Sequence, residues 1–175
     1  MQLDGQGLDV IFRNARTQNG WLDRPVADDQ LRAIYDLMKF GPTTMNSGPA
    51  RIIFVRSSEA KARLLPCMSA SNVDKTRAAP VTAIIGYDLR FYEKLDRLAP
   101  HNPNARSAHE GKPEAETTAL RNGSLQGGYF IIAARAIGLD AQRILLFKLL
   151  CTPRRNRAAA RAAALSPGRH SRDCR

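Results

Sequence analysis

The sequence predicts an α+β sandwich in which a central mixed sheet is surrounded by helices. Two short apolar runs rich in β-branched residues, "RIIFV" at 51–55 and "PVTAIIGY" at 80–87, have the composition of buried strands. Helical patterns lie before, between and after them, an order that places helices around one sheet. A chain of 175 residues is long enough to bury a core within a single globular unit.

The first helical element is "DDQLRAIYDLMKFGP". Leu31, Ile34, Tyr35 and Met38 fall on one helical stripe, Asp28 and Asp29 suit the positive N-terminal end, and Gly41-Pro42 stops the helix. The two strands follow, each expected to be covered on both faces. Between them "SEAKARLL" carries the Ser and Glu of a capped helix, and "SASNVDKTR" reads as a polar segment. From Pro113 to Leu139 the pattern is one long helix, with Glu114 and Glu116 in its first turn and Gly138 available as a C-terminal cap. Its second half, "YFIIAARAIGL", is apolar almost all round and is expected to be buried on most sides, by its own domain or by a second subunit. Gly123, Gly127 and Gly128 either admit another backbone or weaken the helix. "APHNPNARSAHEGKPEA" is a polar loop, too polar for core, of a kind that often lies over a site.

Formal charge is +11, but it is divided unevenly: residues 1–140 carry 18 basic and 15 acidic side chains, whereas residues 141–175 carry nine basic and one acidic. The body is therefore electrostatically ordinary, and nucleic acid is not its expected partner despite the basic tail. Only Cys67 lies in the body, so no disulfide framework is indicated. "MQLDGQGLDV" lacks the marks of a signal peptide, and no apolar stretch approaches the ~20 residues of a membrane span. A cytoplasmic protein with no membrane partner is the expectation.

No Walker sequence, G-x-G-x-x-G, zinc spacing or G-x-S-x-G occurs. His101 and His109 share a loop without a Cys or acid at ligand spacing, so they read as solvated histidines and no metal is expected. Cys67 reads as a small buried hydrophobe. What remains is three polar segments beside apolar elements: "RTQNGW" at 16–21, "GPTTMNSGPARIIFV" at 41–55 and "SNVDKT" at 71–76.

These segments, with "APVTAIIGYD", "FYEKL", "PHNPNARS" and "RNGSLQGGYFIIAARAIGLD", resemble the flavin-dependent nitroreductase family over roughly residues 5 to 140. Within it they are similar to the branch that reduces malonic semialdehyde to 3-hydroxypropionate in pyrimidine degradation. The resemblance implies a nitroreductase-like fold that binds FMN, takes hydride from NADH or NADPH, and works as a homodimer with each flavin at the subunit interface. Arg16 matches a family arginine that reaches FMN, with Gln18 beside it. Pro42, Thr43, Thr44 and Asn46 match the loop that approaches the flavin from the partner subunit. Asn72 and Lys75 match the family's Asn-x-x-Lys spacing at the pyrimidine edge. Gly20 departs from the basic residue that many members carry. No catalytic side chain is implied, because the flavin carries the hydride; Arg106 is the expected anchor for a small-molecule carboxylate substrate. Taken alone, each residue also has an ordinary reading: Arg16, Lys75 and Arg106 as surface cations, Asn46 and Asn72 as turn formers, Pro42 as a helix terminator.

After Gly138-Leu139-Asp140 the family match stops, and "AQRILLFKLLCTPRRNRAAARAAALSPGRHSRDCR" follows. The chain thus divides into an incomplete family-like domain, 1–140, and a basic Arg/Ala-rich tail, 141–175. Arg, Ala, Pro and Gly all have GC-rich codons, so a frameshift near codon 141 that replaced the native C-terminal part accounts for the composition and leaves a product without function. The alternative is a genuine basic extension whose arginines near 154–161 pair phosphates in sequence-blind nucleic-acid binding.

Overall fold

The computed structural model describes residues 2–142; the "ILLFKLL" segment and the arginine-rich tail lie outside the described residues. Asp4 opens the first helix, α1 (Gly5–Leu8), by accepting the Gly7 N–H at 2.7 Å, and the chain continues through a wider helical turn to Arg13. The predicted amphipathic helix is α2 (Asp28–Met38), with Gln30 accepting the Ala27 N–H at its start. Leu31, Ile34 and Met38 are buried as the spacing requires, whereas Tyr35 is 55% exposed. Its position at the margin of the stripe turns it away from the helix that α2 packs on.

Strands β1 (Ala50–Val55) and β2 (Thr82–Tyr87) fall on the two apolar runs and pair antiparallel, with Ala50 opposite Tyr87, Ile52 opposite Ile85 and Phe54 opposite Ala83. The alternation of a strand puts these residues on one face, toward the long helix. The opposite face is not fully covered among the described residues: Ile53 is 62% exposed, which corrects the expectation of strands covered on both sides.

Two helices, not one, connect the strands. Ser57 caps α3 (Ser58–Leu64) by accepting the Ala60 N–H at 3.1 Å, and the "SASNVDKTR" segment forms α4 (Ala70–Ala78). Of the residues in α4 only Thr76 is buried, so no apolar stripe announces the helix. Lys61 on α3 is buried and donates to the carbonyls of Arg77 (3.2 Å) and Ala79, tying α3 to the end of α4; burial lowers its pKa.

After a turn at Phe91–Lys94 and the short α5 (Leu95–Leu98), the chain enters α6 (Glu114–Ala136). Gly138 adopts φ 80° just past its end, the Gly138 N–H donates to Arg135 O at 2.9 Å and the Leu139 N–H to Ala134 O at 2.9 Å. This is the glycine stop expected there, and Leu139 folds back on the core. Phe130, Ala133 and Ala134 of α6 meet Leu31, Ile34 and Met38 of α2, with Ala50, Ile52 and Phe54 of β1 against them. A second cluster joins Phe91, Leu95, Ala99 and Ala105 to Ala115 and Ala119.

That second cluster corrects the reading of the 99–115 segment as wholly outside the core, because its alanines are small enough to bury while their polar neighbours stay in water. His109 is likewise not solvated: its ring packs edge-on against Phe91 with centroids 5.1 Å apart, and its Nε2 is buried. Gly123 resolves the question of the helix glycines, since a Cβ there would lie 3.0 Å from the Tyr87 Cβ; around Gly128 the space is open. Cys67 is only half-buried.

Gly41 is more than a helix stop. It is buried under the Tyr129 ring, and an added Cβ would sit 2.6 Å from the ring's Cγ. Gly41→Ala is expected to destabilise the chain by about 1–3 kcal/mol through this overlap, seen as a lower midpoint in chemical denaturation.

Asp88 joins three elements: its carboxylate accepts from Arg51 (2.7 Å) on β1, from Lys94 (2.8 Å) and from the Arg90 N–H (3.0 Å). Burial pushes its pKa up, but the bonds from Lys94, Arg90 and Arg51 outweigh that and leave it below the ordinary carboxylate value. A depressed folded-state pKa contributes stability above the unfolded-state value, lost as pH falls through the folded-state one. Wild type is therefore expected to exceed Asp88→Asn in stability by about 1 kcal/mol at neutral pH. Denaturation curves should show that margin closing once the pH falls below about 3.9.

Candidate functional site

Two of the three polar segments come together. Lys75 on α4 donates from Nζ to Asn19 Oδ1 at 2.7 Å, and Trp21 Nε1 donates to the Lys75 carbonyl at 2.9 Å. The "RTQNGW" segment is thus fastened along α4. Because α4 is helical, Asn72 and Lys75 stand three residues apart as neighbours on one side of it. Asn72 Nδ2 donates to Ser69 Oγ at 2.8 Å, which orients the amide. Gln18, next to Asn19 in sequence, is half-buried, while Arg16 is exposed and turns its guanidinium onto the carbonyls of Arg13 and Ala15, both at 2.8 Å.

The second segment is held elsewhere. Pro42, Thr44 and Asn46 are exposed and Thr43 half-buried, on a turn where Met45 and Asn46 both take φ 52°. Thr44 N–H donates to Asn122 Oδ1 and Ala50 N–H to Gln126 Oε1, both at 2.8 Å, while Asn46 Nδ2 reaches Leu98 O at 3.1 Å. Among the described residues, none of the loop's hydrogen bonds reaches Asn19, Asn72 or Lys75.

An open groove of about 890 Å³ runs beside this loop and along β1, with Asn46, Gly48, Arg51, Lys94, Arg97 and Gln126 among its walls. Of the expected binding residues it includes only Asn46; Arg16, Gln18, Asn72 and Lys75 lie outside it. The cluster on α4 and the loop are therefore two separate polar clusters within the described chain.

Arg106 lies apart from both. It pairs with Glu110 in a two-pronged contact, Nε to Oε2 at 3.0 Å and Nη2 to Oε1 at 2.9 Å, with Asp96 further off at 3.8 Å. The hydrogen bonds with Glu110 raise the arginine's pKa and lower the glutamate's. Among the described residues no three His, Cys, Asp or Glu side chains gather as a metal site, and no helix is long and apolar enough to cross a membrane.

Three residues escaped the sequence reading: Asn19, Asn122 and Gln126. Asn19 stands inside a segment already singled out, and only its contact with Lys75 distinguishes it. Asn122 and Gln126 did carry a signal, two amides one helical turn apart between the alanines at 115 and 119 and the apolar run that begins at Tyr129.

No family model matches the chain. An NADH dehydrogenase/NAD(P)H nitroreductase by name from Cupriavidus pinatubonensis is 60% identical over 136 residues, covering 76% of this chain and 69% of the relative. The relative of that name called HadB, from Ralstonia pickettii, matches with the same identity and coverage, and one from Stenotrophomonas maltophilia is 58% identical over 140 residues, covering 79% and 71%. Among solved structures, an Exiguobacterium sibiricum nitroreductase in complex with FMN aligns with a TM-score of 0.73 at 18% identity, over 84% of this chain and 78% of that one. The Bacillus subtilis nitroreductase ydfN aligns with a TM-score of 0.68 at 16% identity, over 90% and 80%. With relatives this similar over more than two thirds of their length, and with the fold of solved nitroreductases, the chain belongs to the NADH dehydrogenase/NAD(P)H nitroreductase family of oxidoreductases.

Proposed function

We propose that this chain is a cytoplasmic FMN-dependent oxidoreductase that draws hydride from NADH or NADPH and reduces malonic semialdehyde to 3-hydroxypropionate in pyrimidine degradation. The observation that carries the cofactor assignment is the fastening of Asn19 and Trp21 to Lys75. It ties the segment that carries Arg16 and Gln18 to the helix that carries Asn72 and Lys75, which supports the assignment within a family whose members are named for nicotinamide-dependent reduction.

The donor chemistry of this set fits FMN. A guanidinium, two amides and an ammonium suit a phosphate and the polar edge of a pyrimidine ring, and none of the four is a carboxylate that would repel either. When bound, FMN supplies hydride relay from a nicotinamide to an acceptor. The chain's own side chains bind and orient. Lys75 is held in place by Asn19 and brings positive charge to the pyrimidine edge; Asn72, braced by Ser69, presents its amide there; Arg16 reaches the phosphate end by leaving its two local carbonyls.

Pro42, Thr43, Thr44 and Asn46 complete the site from a second copy of the chain, so the working form is a homodimer. Two observations support this. The loop makes its hydrogen bonds to α6, to Leu98 and within itself rather than to the α4 cluster of its own protomer. Leu120, Leu125 and Tyr129 of α6, with Leu37 and Phe40 at the end of α2, are exposed and offer apolar area for a second copy to cover. Residues 1–140 form the FMN-binding domain and 141–175 a tail outside it, in keeping with relatives that align over 136–140 residues.

Arg106 anchors the substrate carboxylate. Its two-pronged pairing with Glu110 is the geometry a substrate carboxylate takes over when it displaces that glutamate.

The purified full chain is expected to bind FMN stoichiometrically, with the yellow absorbance of a flavoprotein. Lys75→Ala should weaken binding about tenfold or more in a fluorescence titration; a chain that takes up no FMN would overturn the cofactor assignment. Arg106→Ala should raise KM for malonic semialdehyde about tenfold and leave KM for a neutral aldehyde unchanged, whereas equal effects on both would remove the anchor role.

A further inference from the structure

The loop at Pro42–Asn46 has a shape its own residues do not favour. Met45 and Asn46 both adopt φ 52°, the left-handed region that crowds a Cβ, and Asn tolerates it better than Met. The two backbone anchors that flank it come from α6.

Asn122 and Gln126 stand one turn apart on the same side of that helix and are only 4% and 8% exposed. Their amide oxygens accept the backbone N–H groups of Thr44 and Ala50, each at 2.8 Å, on either side of the strained turn. Asn122 Nδ2 donates to Thr118 O at 2.9 Å, which turns its oxygen toward the loop. Between these two anchors the Gly48 N–H donates to Thr43 Oγ1 at 3.1 Å, Ser47 is buried, and Met45 packs on the second core cluster. An apolar side chain would fill either amide's place at lower desolvation cost, but it would leave Thr44 or Ala50 with an unmatched N–H.

We propose that Asn122 and Gln126 are positioning residues: they set the conformation in which the Pro42–Asn46 loop meets the flavin, and so control cofactor affinity without touching the cofactor. The inference rests on the flavin assignment above.

The test compares Asn122→Ala and Gln126→Ala with Phe130→Leu, a core change on the same helix that removes neither anchoring amide, all in the full chain. Hydrogen exchange at the Thr44 and Ala50 amides reads the anchors directly and needs no flavin. Quenching of FMN fluorescence reads affinity. Each alanine variant is expected to speed exchange at its own amide, and to weaken FMN binding, by about tenfold. Phe130→Leu should lower the melting temperature and change neither. Should an alanine variant fail to fold, Asn122→Asp and Gln126→Glu keep an accepting oxygen. In mildly acidic buffer the buried carboxyl is neutral, so that Asn122→Asp also keeps a donor for Thr118 O, and both variants are expected to retain slow exchange and wild-type affinity. Unchanged FMN affinity in the alanine variants, equal weakening by Phe130→Leu, or a loss of affinity in the acidic variants equal to that of the alanines would each overturn the positioning role. A wild-type chain that binds no FMN while its two amides exchange slowly would instead overturn the flavin assignment, and the positioning role with it.

Discussion

Burial of α6 is the constraint on which the rest of the described structure depends. Its final third lays Phe130, Ala133 and Ala134 against α2 and β1, and its first third lays Ala115 and Ala119 against Phe91, Leu95 and Ala99. Fully burying a large apolar side chain stabilises by about 1.5–3 kcal/mol, so the two clusters together fix the helix at both ends. The stretch between them is then carried inside with its amides. A buried amide without a partner is costly, and Asn122 and Gln126 find theirs in the backbone N–H groups of the 42–50 segment. One apolar contact surface therefore dictates where a polar loop must run.

The same dependence explains the small residues around that loop. Gly41 passes directly under the Tyr129 ring, and Gly123 admits the Tyr87 side chain. Each close approach draws a neighbouring element onto α6, so the helix acts as a spine from which the loop and the sheet are measured. The α4 cluster is organised independently, by Asn19, Trp21 and Ser69 rather than by α6. The two clusters are thus built separately, one against a helix spine and the other fastened along a short helix.

Much of this was legible beforehand where a pattern repeats along the chain. The stripe of α2, the strands within the apolar runs at 51–55 and 80–87, the length of α6 and its stop at Gly138 all follow from local periodicity and backbone preference. The failures lie where periodicity is weak or where exposure depends on what packs nearby. The helix α4 lacks an apolar stripe and passed for a polar segment. Tyr35 and Ile53 have core-like composition yet stand exposed, while Ala99 and Ala105 lie in a polar stretch and are buried, with the ring of half-buried His109 against Phe91.

The sequence by itself determined most of the element types, the uneven charge, and the family resemblance that named Arg16, Gln18, Pro42, Thr43, Thr44, Asn46, Asn72 and Lys75 as candidates, because each of these is written in residue order and identity. Only the tertiary structure decided that Asn19 holds Lys75, that Asn122 and Gln126 hold the loop, and that Glu110 holds Arg106. Hydrogen-bond partners for a buried polar group are chosen by which backbone or side-chain atoms the packed helices bring within about 3 Å, and in Asn122's case that partner is 78 residues away along the chain.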